Sequence, residues 1–276
     1  MTETVTSDFR TKFRAWRLYR NKSQLDLALF ANISQRHLSF LETGRSLPSR
    51  EMVLKLSEAL DIPLRERNGL LLSAGYSPIY AENSLDSPSM LPVLNAVEKA
   101  LQHHNPLPAF VVDRFWNIVR KNSAAEKLLM LLSSTSIPVN DESESTNSSV
   151  EISTNLALMS LHPLGLRQFI TNWDDVAPLL VQRLRSEAMA SGDQKVIEKL
   201  QSYVEVSELY IQDTVPNLGL LPVMPINIKV DNIELSLFTM VATLGTPQDV
   251  IADELRLEFF YSIDDQTEDF FRSISS

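Results

Sequence analysis

The sequence contains no cysteine among its 276 residues, and only four histidines and seven glycines. The absence of thiols excludes disulfide bonds, thiolate zinc sites and a cysteine nucleophile. Two of the histidines, His103 and His104, are adjacent in a helical pattern, where their side chains point about 100° apart and chelate a metal poorly. The sequence also lacks a glycine-rich phosphate loop, an HExxH pair and a GxSxG nucleophile elbow. We therefore expect no catalytic residues, no metal and no cofactor, and we do not expect an enzyme.

Long apolar runs are also absent. No segment approaches the roughly 18 residues that a membrane-spanning helix needs. The chain starts with MTETVTSDFR, which is polar and acidic, unlike the basic and apolar start of a secretory signal peptide. These features predict a cytoplasmic protein without a membrane partner.

The net charge of −10 is distributed unevenly along the chain. Residues 8–55 contain ten basic and four acidic residues, a net charge of +6, whereas residues 71–276 contain 13 basic and 27 acidic residues, a net charge of −14. A basic segment suits a surface that faces phosphates, and an acidic segment repels them. We therefore expect nucleic acid to bind at the N-terminal end only.

What the sequence does contain is a helix-turn-helix pattern at residues 23–45, SQLDLALFANISQRHLSFLETGR. Ser23 and Ser34 stand where N-caps of two short helices are expected. Between these helices Ala31-Asn32-Ile33 forms the turn, and asparagine tolerates the left-handed conformation that such a turn requires. Gly44 ends the second helix.

The second helix of this pattern carries side chains suited to reading base edges. A helix in the major groove contacts bases mainly from its first two turns, which here offer Gln35, Arg36, Ser39 and Phe40, with His37 on the flank. Arginine can bind guanine and glutamine can bind adenine through two parallel hydrogen bonds. Phe40 leaves two interpretations open: its ring contacts a thymine methyl group, or it packs against another part of this protein.

Residues 23–45 resemble the helix-turn-helix of Cro/CI-type regulators, the xenobiotic-response-element (XRE) family, although a generic helical hairpin is the alternative. The resemblance implies a double-stranded DNA operator as partner and implies that Gln24 contacts a phosphate. It also implies an ion pair between Arg17 and Glu42 that stabilises the fold rather than touching DNA. Arg45, after the helix stop, is a second phosphate candidate. The predicted DNA-binding residues are Gln24, Ser34, Gln35, Arg36, His37, Ser39, Phe40 and Arg45.

The wider pattern predicts an all-α N-terminal domain of five helices over residues 1–75. Its first helix is expected over 9–20 and its last from Leu64 to Ala74, after the break at Asp61-Ile-Pro. Residues 76–89 form a linker in this interpretation, because they are rich in proline and serine and show little periodicity. Residues 90–276 then form the second domain.

The second domain is predicted to be α+β. A helix over 90–104 precedes two short strands within 108–122, and a helix over 123–132 leads to a low-complexity loop at 133–150. Further helices follow between 154 and 213. Three strands follow in MPINIKV, IELSLFTMVATL and LRLEFFYSI, where alternation of polar and apolar residues suits a sheet with one covered face. This order is that of a PAS-like antiparallel sheet with a helical insertion.

Between residues 90 and 262, a series of short motifs occurs in a characteristic order and spacing: Pro108-Ala109, Trp116-Asn117, Asn122 to Ala125, His162-Pro163, Asn172-Trp173, Thr246 to Val250 and Glu254 to Glu258. Through these residues, the stretch resembles the MmyB-like ligand-binding domain that follows such a helix-turn-helix in bacterial regulators. The resemblance implies a pocket for a small apolar molecule such as a fatty acid. The lining candidates are Trp116, Asn122, His162, Phe169, Asn172 and Trp173. The alternative is a core position for each tryptophan, a helix cap for each asparagine, and a loop or cap position for the histidine.

Three hypotheses on function follow from this sequence. The first is a homodimeric, ligand-responsive transcription regulator, which is the interpretation we favour. The second is a DNA-binding regulator whose larger domain serves only for oligomerisation or protein interaction. The third is a catalytic PAS-like domain tethered to DNA. A copurifying small molecule separates the first from the second, and its chemical conversion would be needed for the third.

Overall fold

The computed structural model describes residues 2–135, 151–208 and 222–275. Their packing divides the chain into two units. The first unit consists of the residues up to Asn83 together with Thr246–Asp253 and is called the DNA-binding unit, after the role predicted from its sequence. The second consists of the described residues in Ser84–Gly245 and Glu254–Ser276 and is called the sensor unit, likewise after its predicted role.

The N-terminal part of the DNA-binding unit contains the five predicted helices. The first begins earlier than the predicted residue 9, and the caps of the next three explain where those helices start. Ser23, Ser34 and Ser49 each accept a hydrogen bond from the backbone N–H three residues further on. The helices are α1 (Thr2–Tyr19), α2 (Gln24–Phe30), α3 (Gln35–Thr43), α4 (Arg50–Ala59) and α5 (Leu64–Ser73).

One apolar cluster joins these five helices. It includes Phe13 of α1, Leu41 of α3, Leu56 of α4 and Leu71 of α5, all at most 1% exposed. The rings of Phe9 and Phe13 stack with their centroids 5.6 Å apart. Burial of these side chains, about 1.5–3 kcal/mol each, fixes the positions of α2 and α3 relative to the other helices.

The sensor unit is built on a five-stranded antiparallel sheet. Its strands are β1 (Ala109–Val112), β2 (Ile118–Lys121), β3 (Ile226–Val230), β4 (Ile233–Ala242) and β5 (Arg256–Ser262). Their order in the sheet is β2-β1-β5-β4-β3, so the last strand in sequence lies between the two hairpins. The β3–β4 turn occurs at Asp231, which has the left-handed φ of 51° expected of the predicted Asp231-Asn232 turn.

Helices cover this sheet on both faces. On one face, α6 (Leu91–His104) packs against Ala109 and Val111 of β1. On the other face, Phe110 and Val112 pack into a larger cluster formed by the helical insertion. Further α-helices of the unit are α7 (Ser123–Thr135), α8 (Leu156–Leu161), α9 (Trp173–Ser191), α10 (Gln194–Glu208) and α12 (Asp265–Ser275), and it also contains 3₁₀ helices at Pro88–Met90 and Leu166–Phe169. The short helix α11 (Val250–Asp253) belongs to the DNA-binding unit.

One detail of the sensor unit differs from the prediction. The polar–apolar alternation of LRLEF suits a sheet with one covered face, yet Glu258 is only 2% exposed because α9 packs over this side of β5. Before α12, the exposed Asp264 accepts a hydrogen bond from the N–H of Thr267. Of the predicted loop at 133–150, residues 133–135 form the end of α7 and the rest lies outside the described residues.

No helix within the described ranges is long and apolar enough to cross a membrane.

We expect Glu42→Ala to lower the free energy of unfolding of the DNA-binding unit by about 3–5 kcal/mol. The reason is that the guanidinium of Arg17, whose side chain is 8% exposed, would stay buried without its carboxylate. Asp8→Ala is the matched control: it breaks a half-exposed pair with Lys12 and should change the value by less than about 0.5 kcal/mol. Amide hydrogen exchange of α1 and α3 in the full-length chain measures the free energy of unfolding for both variants. Similar decreases in the two variants would contradict the prediction.

Candidate DNA interface and ligand-binding domain

Helices α2 and α3 are joined by the predicted turn. Asn32 has a left-handed φ of 49°, and Gly44 ends α3 with a φ of 74°. At the start of α2, Ser23 and Asp26 form a capping box, in which the Ser23 hydroxyl donates to Asp26 Oδ2 at 2.6 Å. These bonds from Ser23 hold the pKa of Asp26 below its usual value. Local hydrogen bonds therefore fix both helix starts and the angle between them.

A buried ion pair holds the C-terminal end of α3 against α1. Arg17 Nε donates to Glu42 Oε1 at 2.5 Å and Arg17 Nη2 to Glu42 Oε2 at 2.9 Å. Arg17 Nη1 also donates to the carbonyl of Lys22, and Gln24 Nε2 donates to Glu42 Oε2 at 2.7 Å. This geometry matches the predicted Arg17–Glu42 pair. The side chain of Gln24, predicted to contact a phosphate, is here part of this network.

The opposite face of α3 presents its polar side chains to solvent. Gln35 and Arg36 are exposed, whereas Ser39 and His37 are partly buried. Ser34, a further predicted contact, uses its hydroxyl to cap α3 by accepting from the N–H of His37 at 3.1 Å. The first two turns of α3 are therefore accessible for base contacts.

Phe40 lies between two of the predicted DNA-binding arginines. The guanidinium carbon of Arg36 is 5.3 Å from the centroid of the Phe40 ring, and that of Arg45 is 5.7 Å from it. Both distances are in the range of cation–π contacts. The ring is partly buried, which favours the interpretation that Phe40 packs within this protein. Its contacts bring the base-reading candidate and the phosphate candidate to the same side of α3.

Arg10 is a basic residue that the sequence analysis did not single out. A Cβ atom at Gly44 would approach Arg10 Nη1 to 3.0 Å, so the exposed Arg10 of α1 lies beside the end of α3. The net charge of residues 8–55 predicts a basic surface on this unit. The packing of α1 on α3 brings Arg10 close to Gly44, the residue before Arg45.

In the sensor unit, the candidate Trp116 is a core residue. It is 3% exposed, and its indole N–H donates to Glu187 Oε2 at 3.0 Å. Its φ of 66° is unusual for a bulky residue, and the buried ring and the hydrogen bond hold it there. The guanidinium carbon of Arg183 lies 4.6 Å from the ring centroid.

Arg183 connects Trp116 to the sheet. Its guanidinium donates to both carboxylate oxygens of Glu258 on β5 and to Glu187 Oε1 on its own helix. Burial alone would lower the pKa of Arg183, but the hydrogen bonds and charges of Glu258 and Glu187 raise it above its ordinary value. The sequence offered no sign of this network, because its members are 71 and 75 residues apart.

The two asparagine candidates have structural partners. Asn122 is 5% exposed; its Oδ1 accepts from the N–H groups of Ala109 and Ala125, and its Nδ2 donates to the carbonyl of Leu107. Asn172 precedes α9 and bonds to the backbone of Pro225 and Asn227, next to β3. Asn122 therefore caps α7, as its alternative predicts, whereas Asn172 occupies the cap position of α9 without a side-chain cap bond and binds the chain at β3 instead.

The remaining candidates lie around the short segment between α8 and α9. His162 ends α8, and its Nδ1 accepts from the N–H of Leu164. Phe169 is buried in the cluster below β3 and β4. Trp173 packs against the same cluster as Trp116, with the guanidinium carbon of Arg167 4.6 Å from its ring centroid. The structure thus brings Trp116 and Trp173 to one cluster and places Phe169 in another.

The indole N–H of Trp173 is buried and makes no hydrogen bond to any of the described residues. Tyr203, deeper in the same cluster, differs in this respect, since its hydroxyl accepts from Asn155 Nδ2 at 3.1 Å. Burial raises the pKa of Tyr203. Within the described ranges, no group of three His, Asp or Glu side chains could hold a metal ion.

Comparison with protein families matches both parts of the chain. Residues 93–274 match the family described as "MmyB-like transcription regulator ligand binding domain". The chain belongs to this family. Residues 13–67 match the family described as "Helix-turn-helix". The protein is therefore a DNA-binding transcription regulator of the MmyB-like family, with a ligand-binding domain behind its helix-turn-helix.

Other comparisons add little to this assignment. No curated protein matches the regulator. One solved structure, "Structure of an RNA-binding Light-Oxygen-Voltage Receptor", is 11% identical, with a TM-score of 0.24. The alignment covers 97% of this chain and 64% of that one. A similarity of this degree carries no argument about the fold or the function of the regulator.

We expect Arg36→Ala to weaken binding to the preferred DNA sequence by about 1–3 kcal/mol and to relax the preference at one base pair. The control is Arg14→Ala, which removes an equal charge from an exposed position on α1 and should weaken binding to all sequences alike. Equilibrium binding to the preferred duplex and to single-base variants of it distinguishes the two. An unchanged sequence preference in Arg36→Ala would refute its assignment as a base-reading residue.

We expect Phe40→Leu to weaken DNA binding by about 0.5–1 kcal/mol without unfolding α3, because it removes the ring that holds Arg36 and Arg45. Phe40→Tyr retains an aromatic ring and should bind nearly as tightly as the wild type. If leucine and tyrosine bind equally well, the ring does not position the arginines.

Proposed function

We propose that the regulator binds a two-fold symmetric operator as a homodimer and that its sensor unit binds a small apolar, fatty-acid-like molecule that alters this binding. We also propose that it acts in the cytoplasm, where its DNA partner lies. The observation that carries the DNA-binding part is the exposed face of α3, on which Arg36 and Arg45 flank Phe40. The family shows that the sensor unit binds a ligand; its chemical class is our inference.

The geometry of α3 supports sequence-specific recognition. The buried Arg17–Glu42 pair fixes the end of the helix, and caps at Ser34 and Gly44 fix its length. A rigid helix with exposed Gln35 and Arg36 in its first turn is what base reading in the major groove needs. Two such helices about 34 Å apart in a dimer would contact successive major grooves and multiply weak affinities for the half-sites.

The sensor unit supports an apolar ligand that carries one hydrogen-bond acceptor. Trp116, Trp173 and the buried leucines of α8 form an apolar cluster under the sheet. Within it, the N–H of Trp173, which has no hydrogen-bond partner among the described residues, would gain an acceptor from a ligand carboxylate or hydroxyl group. Asn122 and Asn172 are engaged with backbone groups and are thus weaker candidates for ligand contacts.

A second candidate function is oligomerisation without a ligand. It is favoured by Met240 and Val241 on β4, which are 53% and 46% exposed although they belong to a strand. Exposed apolar residues on a sheet are suited to contact a second copy of the chain.

The DNA-binding part is tested by selecting duplexes from a random library with the full-length chain. We expect enrichment of a palindromic sequence whose half-sites are about one helical turn apart, bound by two chains. Sedimentation of the complex gives the stoichiometry. Enrichment of a single, non-palindromic half-site by one chain would refute the homodimer, and no enrichment would refute sequence-specific binding.

The ligand part is tested by mass spectrometry of the small molecules extracted from denatured full-length protein. We expect an apolar molecule near one per chain, reduced at least about tenfold in Trp173→Phe, which keeps a ring but removes the N–H. The free energy of unfolding should change by less than about 1 kcal/mol in this variant, because no hydrogen bond within the described residues is lost. Trp116→Phe is the contrasting variant: it leaves Glu187 without its indole partner and should lower stability by about 1–3 kcal/mol.

An empty extract from the wild type, together with a dimer that dissociates when Met240 and Val241 are replaced by serine, would favour the oligomerisation function instead.

A further inference from the structure

The segment Thr246–Asp253 links β4 to β5 along the chain, yet it packs within the DNA-binding unit. By sequence it lies inside the matched ligand-binding domain, residues 93–274. Because of this segment, the chain passes from one unit to the other three times, at 83–84, 245–246 and 253–254.

Inside the DNA-binding unit, the segment is bound to residues 79–83. Val250 N–H donates to the carbonyl of Ala81 at 2.8 Å. Asp249 Oδ2 accepts from the backbone N–H of Asn83 at 3.0 Å and from its Nδ2 at 2.8 Å. The other oxygen, Asp249 Oδ1, accepts from the N–H of Ile251 and so begins the short helix α11. A single carboxylate therefore ties the segment to the part of the chain that the sequence analysis assigned to a linker.

The segment is also bound to the start of α5. Pro63 provides no side-chain cap for this helix, and the backbone N–H of Leu64 donates instead to Asp253 Oδ2 at 3.1 Å. Val250 and Ala252 of α11 are buried, and α11 packs against α5. A carboxylate at a helix N-terminus satisfies a free backbone donor and interacts favourably with the helix dipole.

Residues 79–83 are themselves fastened to α5. Asn68 Oδ1 accepts from the N–H groups of Ile79 and Tyr80, and Asn68 Nδ2 donates to the Tyr80 carbonyl. Arg65 forms an ion pair with Glu82 at 2.6 Å. Helix α5, residues 79–83 and the segment Thr246–Asp253 are therefore one hydrogen-bonded assembly.

On the side of β5, none of the residues that join the segment to the strand is exposed. Asp253 bonds to α5, and the next residue, Glu254, pairs with Arg114 of the sensor unit at 3.3 Å. Leu255 is 1% exposed, and β5 begins at Arg256. Two residues further along, Glu258 binds Arg183 of α9. On the side of β4, Gly245 and Thr246 are exposed, so that connection is looser.

Within the DNA-binding unit, α5 packs in the same apolar cluster as α3, the helix predicted to read base edges. Leu70 and Leu71 of α5 are buried in the same cluster as Leu38 and Leu41 of α3. A displacement of the start of α5 therefore acts on the packing that positions α3, since a close-packed core transmits strain.

We propose that Thr246–Asp253 is a coupling element, through which a change in the position of β5 alters the start of α5 and thereby the DNA affinity of α3. The proposal rests on the proposed function in so far as it supplies the route by which a ligand in the sensor unit acts on DNA binding. Allosteric coupling is reciprocal, so DNA bound at α3 must in turn act on β5.

The first measurement needs neither DNA nor ligand. Amide hydrogen exchange of the full-length chain is compared between the wild type and Asp249→Ala. We expect exchange to become about tenfold faster at residues 79–83 and 250–253, at the first turn of α5 and at the start of β5, because four hydrogen bonds to a carboxylate are lost, two of them from Asn83.

Two further variants make this result interpretable. Gln248→Ala lies in the same segment, and its side-chain amide bonds to the neighbouring Pro247 carbonyl, so exchange should stay at the wild-type rate. Asn83→Ala removes the 2.8 Å bond from Nδ2 to Asp249 but leaves the bond from the backbone N–H. Exchange should become faster at the same residues as in Asp249→Ala, but by a smaller factor. This variant decides the question even if Asp249→Ala unfolds the unit. Faster exchange confined to 246–253 in both Asp249→Ala and Asn83→Ala, with α5 and β5 unchanged, would overturn the proposal.

The second measurement adds a duplex selected from the random library. Bound DNA should slow exchange in β5 of the wild type and of Gln248→Ala, and this effect should be lost in Asp249→Ala. Slowing that persists in Asp249→Ala, or is missing in the wild type, would also overturn the coupling. If no duplex can be selected, the DNA-binding part of the proposed function fails, while the first measurement still decides whether the segment couples α5 to β5.

Discussion

A carboxylate buried in a sheet must be paired, and the pairing of Glu258 is the interaction on which the sensor unit depends. Glu258 lies on β5, between β1 and β4, and is 2% exposed. Its partner Arg183 comes from α9, lies over the ring of Trp116 and also binds Glu187, which in turn accepts from the Trp116 indole. Removing Arg183 would leave the buried carboxylate of Glu258 without its ion-pair partner, which is far more unfavourable than the pair itself is stabilising. The network thereby fixes how the helical insertion packs on the sheet.

The DNA-binding unit also contains a buried ion pair that further hydrogen bonds complete. Arg17 and Glu42 are buried together, with Gln24 and the carbonyl of Lys22 satisfying further hydrogen-bonding groups. Both networks are sites where geometry is strictly determined, because a buried ion pair tolerates little displacement. In the DNA-binding unit the network holds α3, and in the sensor unit it holds β5. Regulation by a ligand requires that these two elements be connected.

The connection that the chain offers is short and polar. Asp249 and Asp253 bind backbone N–H groups at 3.0 and 3.1 Å, and neither is deeply buried. Such bonds contribute modestly to stability, so breaking them costs little free energy. A ligand shifts an equilibrium between two arrangements only by the difference in its affinity for them. Under the proposed function, an apolar molecule that reorganised the cluster around Trp116 and Trp173 would act on α9, and through Arg183 on β5.

Local patterns in the sequence were enough to predict both folds. The capping serines, the left-handed Asn32 and Gly44, and the hydrophobic periodicity gave the helices of the DNA-binding unit, because these signals act within a few residues. Strand propensity and the Asp231 turn gave the strands β3 and β4 for the same reason. Resemblance to a known family supplied the Arg17–Glu42 pair and the ligand-binding role, which no local pattern contains.

What the sequence could not provide were the partners brought together by packing over long separations. Alternation in LRLEF assigned Glu258 to solvent, since nothing near it in the chain indicates an arginine 75 residues away. Asn122 and Asn172 resembled ligand contacts until the structure placed backbone groups against them. Likewise, Asp249 and Asp253 are unremarkable in an acidic segment, and only the tertiary structure places them against Asn83 and the start of α5. The sequence by itself thus determined the elements and the family, whereas the tertiary structure decided which charges are buried, because burial depends on what the rest of the chain packs against.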